Sequence, residues 1–132
     1  MKRVSRIPAL FVIGAASLSP VAAHAQAGDA QAGERQFVLC AACHTRTAAE
    51  PPKSAPSLIG VFGRKAGTSD PKFAYSDALK ASGLTWNNQT LDQWLSSPTT
   101  LVPGSKMAFA GVASAQTRAN IIAYLKQFGA GG

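Results

Sequence analysis

Side chains able to ligate a metal or carry redox chemistry are scarce in this sequence. Its 132 residues include two cysteines, two histidines and two methionines. His24 and Met1 lie within the first 25 residues, so the rest of the chain holds only His44 and Met107 beside Cys40 and Cys43. Clusters of Lys and Arg are also missing, which leaves a nucleic-acid partner without support. No internal repeat stands out, and no segment alternates apolar and polar residues as a half-buried strand would. The longest apolar run, Ile7 to Leu18, is too short to span a bilayer comfortably, and it contains Pro8.

That run has another meaning. Lys2, Arg3 and Arg6 precede it, and small residues ending in Ala23-His24-Ala25 follow. A positive start, an apolar centre and small residues before a cut form a secretory signal peptide. Residues 1–25 are read as that signal, cleaved near Ala25, and residues 26–132 as one domain in the periplasm. A cut after Ala27 also satisfies the small-residue rule, and an uncleaved anchor is the alternative. Removing 25 residues leaves 107, enough to bury a core. Three of the 13 basic residues and none of the six acidic ones go with the signal, so the mature charge is +4 rather than +7.

The domain reads as short helices and loops. Asp29 can cap a first helix of about 12 residues that reaches Cys40 or just beyond. Thr45 to Pro56 is polar and holds three prolines, and Ser57 to Thr68 carries Gly60, Gly63 and Gly67, so loop and tight turns are expected. Asp77 caps a short helix through Lys80, ended by Gly83. Asn87 or Asn88 caps a third helix with Leu91, Trp94 and Leu95 on one face. Pro98 stops that helix or starts the next turn, and Pro103-Gly104 is a turn. Ser114 caps a last helix whose Ile121, Ile122, Leu125 and Phe128 form an apolar stripe. Gly129 ends it, and Gly131-Gly132 are expected to fray. So many loops need something large to pack against.

Cys40-Ala41-Ala42-Cys43-His44 supplies a candidate. Two cysteines three apart share one side of a helical turn and can reach the two vinyl groups along one edge of a porphyrin. The next residue, histidine, then reaches iron. C-x-x-C-H is the signature of c-type haem attachment. A structural disulfide, a thioredoxin-like redox pair and a zinc site compete for the same cysteines. Zinc lacks a second Cys or His pair, the redox pair lacks its βαβ setting, and a disulfide leaves the loops without a core. Met107, in the turn-rich stretch Pro103-Gly104-Ser105-Lys106-Met107, is the candidate second axial ligand. A buried core residue is the ordinary role of a lone methionine. Histidine and methionine together raise the potential and close the iron to oxygen, which describes an electron carrier.

The whole mature chain, from Gly28-Asp29 to Phe128, resembles the class I cytochrome c family, in particular its mitochondrial-like bacterial members. The resemblance rests on Pro56 to Gly67, Phe73 to Ala78, Gly83 to Trp86, Pro103 to Gly111 and Ile122 to Lys126, around the C-x-x-C-H motif. It implies an all-α class I cytochrome c fold around one haem c, covalent through Cys40 and Cys43, with His44 and Met107 on the iron. The Pro56 carbonyl would accept a hydrogen bond from His44. Tyr75 and Trp86 would donate to a haem propionate, Arg64 would stabilise its charge, and Phe109 would cover the haem beside Met107. Gly33 and Phe37 would pack on Ile121 and Tyr124. Without the resemblance, Tyr75 and Trp86 read as ordinary core aromatics.

The implied function is that of a soluble one-electron carrier, not an enzyme. Its partners would be redox proteins such as a membrane quinol–cytochrome c reductase and a terminal oxidase or other acceptor, docked transiently by a monomer. An open-iron haem enzyme or gas-binding protein, and a haem-free disulfide domain, are the rival classes, which an absorption spectrum separates. The sequence also departs from the family. Where relatives carry a lysine ring around the haem edge, this chain has Leu39, Thr99, Thr100, Ala113 and Ser114. Only Lys106 remains beside the ligand loop, with Lys65, Lys72 and Lys80 expected at a distance. Trp94 stands where tyrosine is common and Leu79 where asparagine is common, and the loop before Phe73 is one residue longer.

Overall fold

A computed structural model describes residues 27–129. The signal-peptide reading of residues 1–25 and the expected fraying of Gly131-Gly132 lie outside the described residues. The described chain is helical: α1 (Ala30–Gln36), α2 (Val38–Ala41), α3 (Asp77–Ala81), α4 (Asn88–Ser96), α5 (Pro98–Leu101) and α6 (Ala115–Leu125), with a closing 3-10 turn at Lys126–Phe128. A lone antiparallel bridge between Lys65 and Thr85 is the strand-like pairing present. Among the described residues, no helix is long and apolar enough to cross a membrane.

Most helix starts follow from capping. Asp29 accepts from the amides of Gln31 and Ala32, and Ser114 from that of Thr117. Asn87, rather than Asn88, caps α4 in a reciprocal box with Thr90. Two expectations are corrected. The first helix is interrupted at Phe37, whose amide is shared between the carbonyls of Gly33 (2.8 Å) and Glu34 (3.3 Å), so the turn tightens before α2 begins. Ser76 rather than Asp77 caps α3, its hydroxyl accepting from Leu79 N–H at 3.2 Å, while Asp77 pairs with Lys80. Pro98 starts the next turn, as expected, and that turn is the short helix α5, with Pro98 at the position where a missing N–H costs nothing.

The crossing of α1 and α6 organises the core. Gly33 lies so close to α6 that a Cβ there would fall on the Asn120 carbonyl. That approach lets Phe37, fully buried, meet the Tyr124 ring at 5.5 Å between centroids beside the equally buried Ile121. Asn120 is buried with its carboxamide oxygen accepting from Asp29 N–H at 2.8 Å, tying the start of α1 to α6. The α4 face of Leu91, Trp94 and Leu95 is buried as expected. Gly60, Gly63 and Gly67 all take positive φ in the turns between the C-x-x-C-H segment and α3.

Candidate haem site

The segment from Cys40 to His44 is held as a helical turn by bonds from Cys43 N–H (3.1 Å) and His44 N–H (2.9 Å) to the Cys40 carbonyl. Cys40, Cys43 and His44 thereby line one cavity of about 370 Å³. Cys40 is buried and Cys43 exposed, and the two sulfurs are not bonded to each other. Burial pushes the Cys40 thiol up to about 11, the opposite of the depressed pKa that a thioredoxin-like thiol needs. Among the described residues, no three His, Cys, Asp or Glu side chains converge as a structural zinc ion requires.

The His44 ring is fixed by its Nδ1, 2.6 Å from the Pro56 carbonyl. With Nδ1–H donating, the lone pair sits on Nε2, the atom available to a metal. Burial lowers the His44 pKa, the Pro56 bond opposes that shift, and nearby Lys53 adds to it. Lys53 donates to the Ala41 carbonyl at 2.6 Å and pairs with Glu50 at 3.0 Å, bracing the loop after the motif. The imidazole is therefore kept neutral, the form that ligates.

The remaining residues expected at the site line the same cavity: Met107, Phe109, Tyr75, Trp86 and Arg64. Met107 comes from the irregular stretch between α5 and α6. Trp86 meets Trp94 edge to face at 5.3 Å. The Tyr75 hydroxyl accepts from Asp70 N–H at 3.1 Å, leaving its own proton free to donate. Arg64 donates to the carbonyls of Ile59 (2.9 Å) and Ser57 (3.2 Å), and burial lowers its pKa.

One residue was missed and another misplaced. The Ser105 hydroxyl is buried at the cavity without a hydrogen-bond partner. A hydroxyl two residues before Met107 was the available signal, but nothing in the sequence showed it facing inward. Lys65, expected at a distance, also lines the cavity, so its placement is corrected: the Lys65–Thr85 bridge and the bond from Trp86 N–H to the Arg64 carbonyl hold its segment beside Trp86, which lines the same cavity.

The lining chemistry fits a haem. An apolar wall that includes Leu79, Leu91, Trp94 and Leu95 suits a porphyrin face. Arg64, Lys65, Lys106 and an unpartnered hydroxyl suit its carboxylates, and no Asp or Glu is among the described residues that line the cavity. A helical fold closed around such a cavity, with C-x-x-C-H in its wall, defines a c-type haem protein.

No protein-family model matches the chain. Individual relatives do. It is 45% identical over 123 residues to cytochrome c2 of Blastochloris viridis, covering 93% of this chain and 92% of that protein. It is 48% identical over 106 residues to cytochrome c2 of Rhodoblastus acidophilus, covering 80% and 98%. The solved structure of cytochrome cH from Methylobacterium extorquens superposes with a TM-score of 0.70 at 49% identity, covering 76% of this chain and 99% of that one. The chain belongs to the class I cytochrome c family. It is an electron-transfer protein rather than an enzyme, and carries one covalent haem c, for which Cys40 and Cys43 have the attachment spacing.

Proposed function

We propose that this chain is an exported periplasmic electron carrier whose haem iron is held by His44 and Met107. It would act as a monomer that docks transiently between a membrane quinol–cytochrome c reductase and a terminal oxidase or other acceptor of a respiratory or related chain. The reading includes cleavage of residues 1–25 near Ala25.

The observation that supports it most is the His44–Pro56 bond at 2.6 Å, in a cavity that also takes Met107, the sole thioether of residues 26–132. The bound haem supplies the one-electron chemistry. The protein's residues do the rest. Pro56 orients the imidazole and raises its donor strength. Met107 offers a soft sulfur that favours the ferrous state. Tyr75, Trp86 and Ser105 can donate to the propionates, and Arg64 can offset their charge. Phe109 and the apolar wall exclude water.

An absorption spectrum of the ferric holoprotein tests the reading. His/Met ligation gives the weak iron–sulfur charge-transfer band. A c-type spectrum without that band, together with ready carbon monoxide binding in the ferrous form, would overturn Met107 as ligand.

A further inference from the structure

Arg118 does not line the haem cavity, yet it grips the far end of the loop that carries Met107. That loop is pinned at both ends. At its start Ser105 N–H bonds the Val102 carbonyl at 3.0 Å. At its end Val112 N–H bonds the Leu95 carbonyl at 2.7 Å, and Gly111, at φ +95°, lies where a Cβ would strike the Ser96 carbonyl. Residues 105–110 between these points have no regular structure. The far pin is reinforced by one side chain. Arg118 of α6 donates from one terminal nitrogen to the carbonyls of Val112 and Ala113, both at 2.9 Å. Its Nε donates to Asp92 of α4 at 2.7 Å, and its other terminal nitrogen to the second Asp92 oxygen at 3.4 Å. A single guanidinium thus joins α4, α6 and the end of the ligand loop.

We propose that Arg118 is a positioning residue for Met107, with Asp92 as its anchor, and that this pair sets how often the ligand loop opens. The proposal rests on Met107 being the axial ligand. The Arg118 side chain is 12% exposed and that of Asp92 43%. A guanidinium this buried depends on its carboxylate partner, because losing the partner leaves a poorly solvated charge. The fork shape lets one face hold Asp92 while the remaining N–H groups hold two carbonyls, which lysine cannot do. If the anchor is lost, the pin on Val112 and Ala113 loosens, and the segment from Met107 to Gly111 lifts more often. Met107 would then leave its place in the cavity wall without global unfolding.

The test uses ferric holoprotein and imidazole, which binds iron only after the methionine has left. Asp92→Ala raises helix propensity within α4, so a change in helix stability alone predicts no acceleration. We expect Asp92→Ala to bind imidazole about fivefold faster or more, the size expected for losing a partly buried pair. Arg118→Lys should do the same, with a weakened iron–sulfur band at raised temperature. Asn87→Ala, which removes the cap at the opposite end of α4, should destabilise the fold to unfolding by denaturant yet leave the imidazole rate near that of wild type. If the band is present in wild type and Asp92→Ala does not accelerate binding, or Asn87→Ala accelerates it equally, the proposal is overturned while Met107 ligation stands. If wild type lacks the band, the ligand reading fails first and takes this inference with it.

Discussion

Gly33 lies against the Asn120 carbonyl, with no room for a methyl group between α1 and α6. The same two helices carry Phe37, Ile121 and Tyr124, and α2 continues from α1 into the haem-attachment turn. Gly33→Ala should therefore cost stability by overpacking, roughly 1–3 kcal/mol. Denaturant unfolding of the holoprotein measures it. The ferric spectrum should be unchanged in native buffer, because the cavity itself is untouched. A variant as stable as wild type would show that the crossing is looser than its geometry.

Covalent attachment predicts that acid–organic extraction leaves haem on the protein and that mass spectrometry finds one haem per mature chain, starting near Gln26 or Gly28. Cys43→Ser should retain a single thioether through Cys40. An apoprotein with a Cys40–Cys43 disulfide, after expression with a haem-attachment system, would contradict the site.

Replacing Met107 with alanine should keep the covalent haem but open the iron to water, cyanide or carbon monoxide. The potential should fall, since the sulfur's preference for ferrous iron is lost. Peroxidase-like side activity is an expected by-product. An unchanged potential and ferric spectrum would place the second ligand elsewhere.

Acid should weaken the loop after the motif through Glu50. The hydrogen bond from Lys53 holds its carboxyl below the usual value, with the charges of Lys53 and Arg46 adding to the shift. A carboxylate with a depressed folded pKa contributes stability above its unfolded pKa, about 4.3. That contribution is lost as pH falls through the lower folded value. Thermal melts of the holoprotein should show Tm dropping across this window, and Glu50→Gln should remove part of the drop. Because the pair is solvent-exposed, the part is small. An identical acid profile in the variant would mean the Lys53–Glu50 contact adds nothing.

The sequence disclosed the attachment motif, the helix faces and part of the cavity lining, since these depend on local spacing and on resemblance. What it concealed depended on register or distance. Ser76 and Asp77 are both good caps, and adjacency alone cannot choose between them. The interruption at Phe37 arises where the first helix meets α6, which no local signal marks. The sequence gives Arg118 no role, because its partners are Asp92, 26 residues away, and two backbone carbonyls. Ser105 was only part of a loop until its hydroxyl was found buried and unpaired.

The partner surface gives the last prediction. A lysine-ringed carrier is steered to acidic partners, and its association rate falls steeply with salt. Here Leu39, Thr99, Thr100, Ala113 and Ser114 replace most of the ring. Val38 and Leu39, the exposed large apolar side chains among the described residues, stand 70% and 54% exposed directly before Cys40. Two potential steering charges are already engaged, Lys80 with Asp77 at 2.8 Å and Lys53 with Glu50. Lys65 and Lys106 line the cavity, and the propionates of a bound haem would offset part of the chain's positive charge. Screening acts over about 8–10 Å at ordinary ionic strength, so few exposed charges near the haem edge leave little to screen. Docking should then rely on apolar contact around Val38 and Leu39, with no need for a strongly acidic patch on the partner. Electron-transfer rate to the natural partner, followed by stopped flow across a salt series, should change only weakly for wild type and Lys106→Ala. Leu39→Lys should steepen the dependence. A fall in the wild-type rate as steep as that of a lysine-ringed cytochrome run alongside would sink the idea and shift the steering to Lys65, with Lys72 and Lys80 behind it.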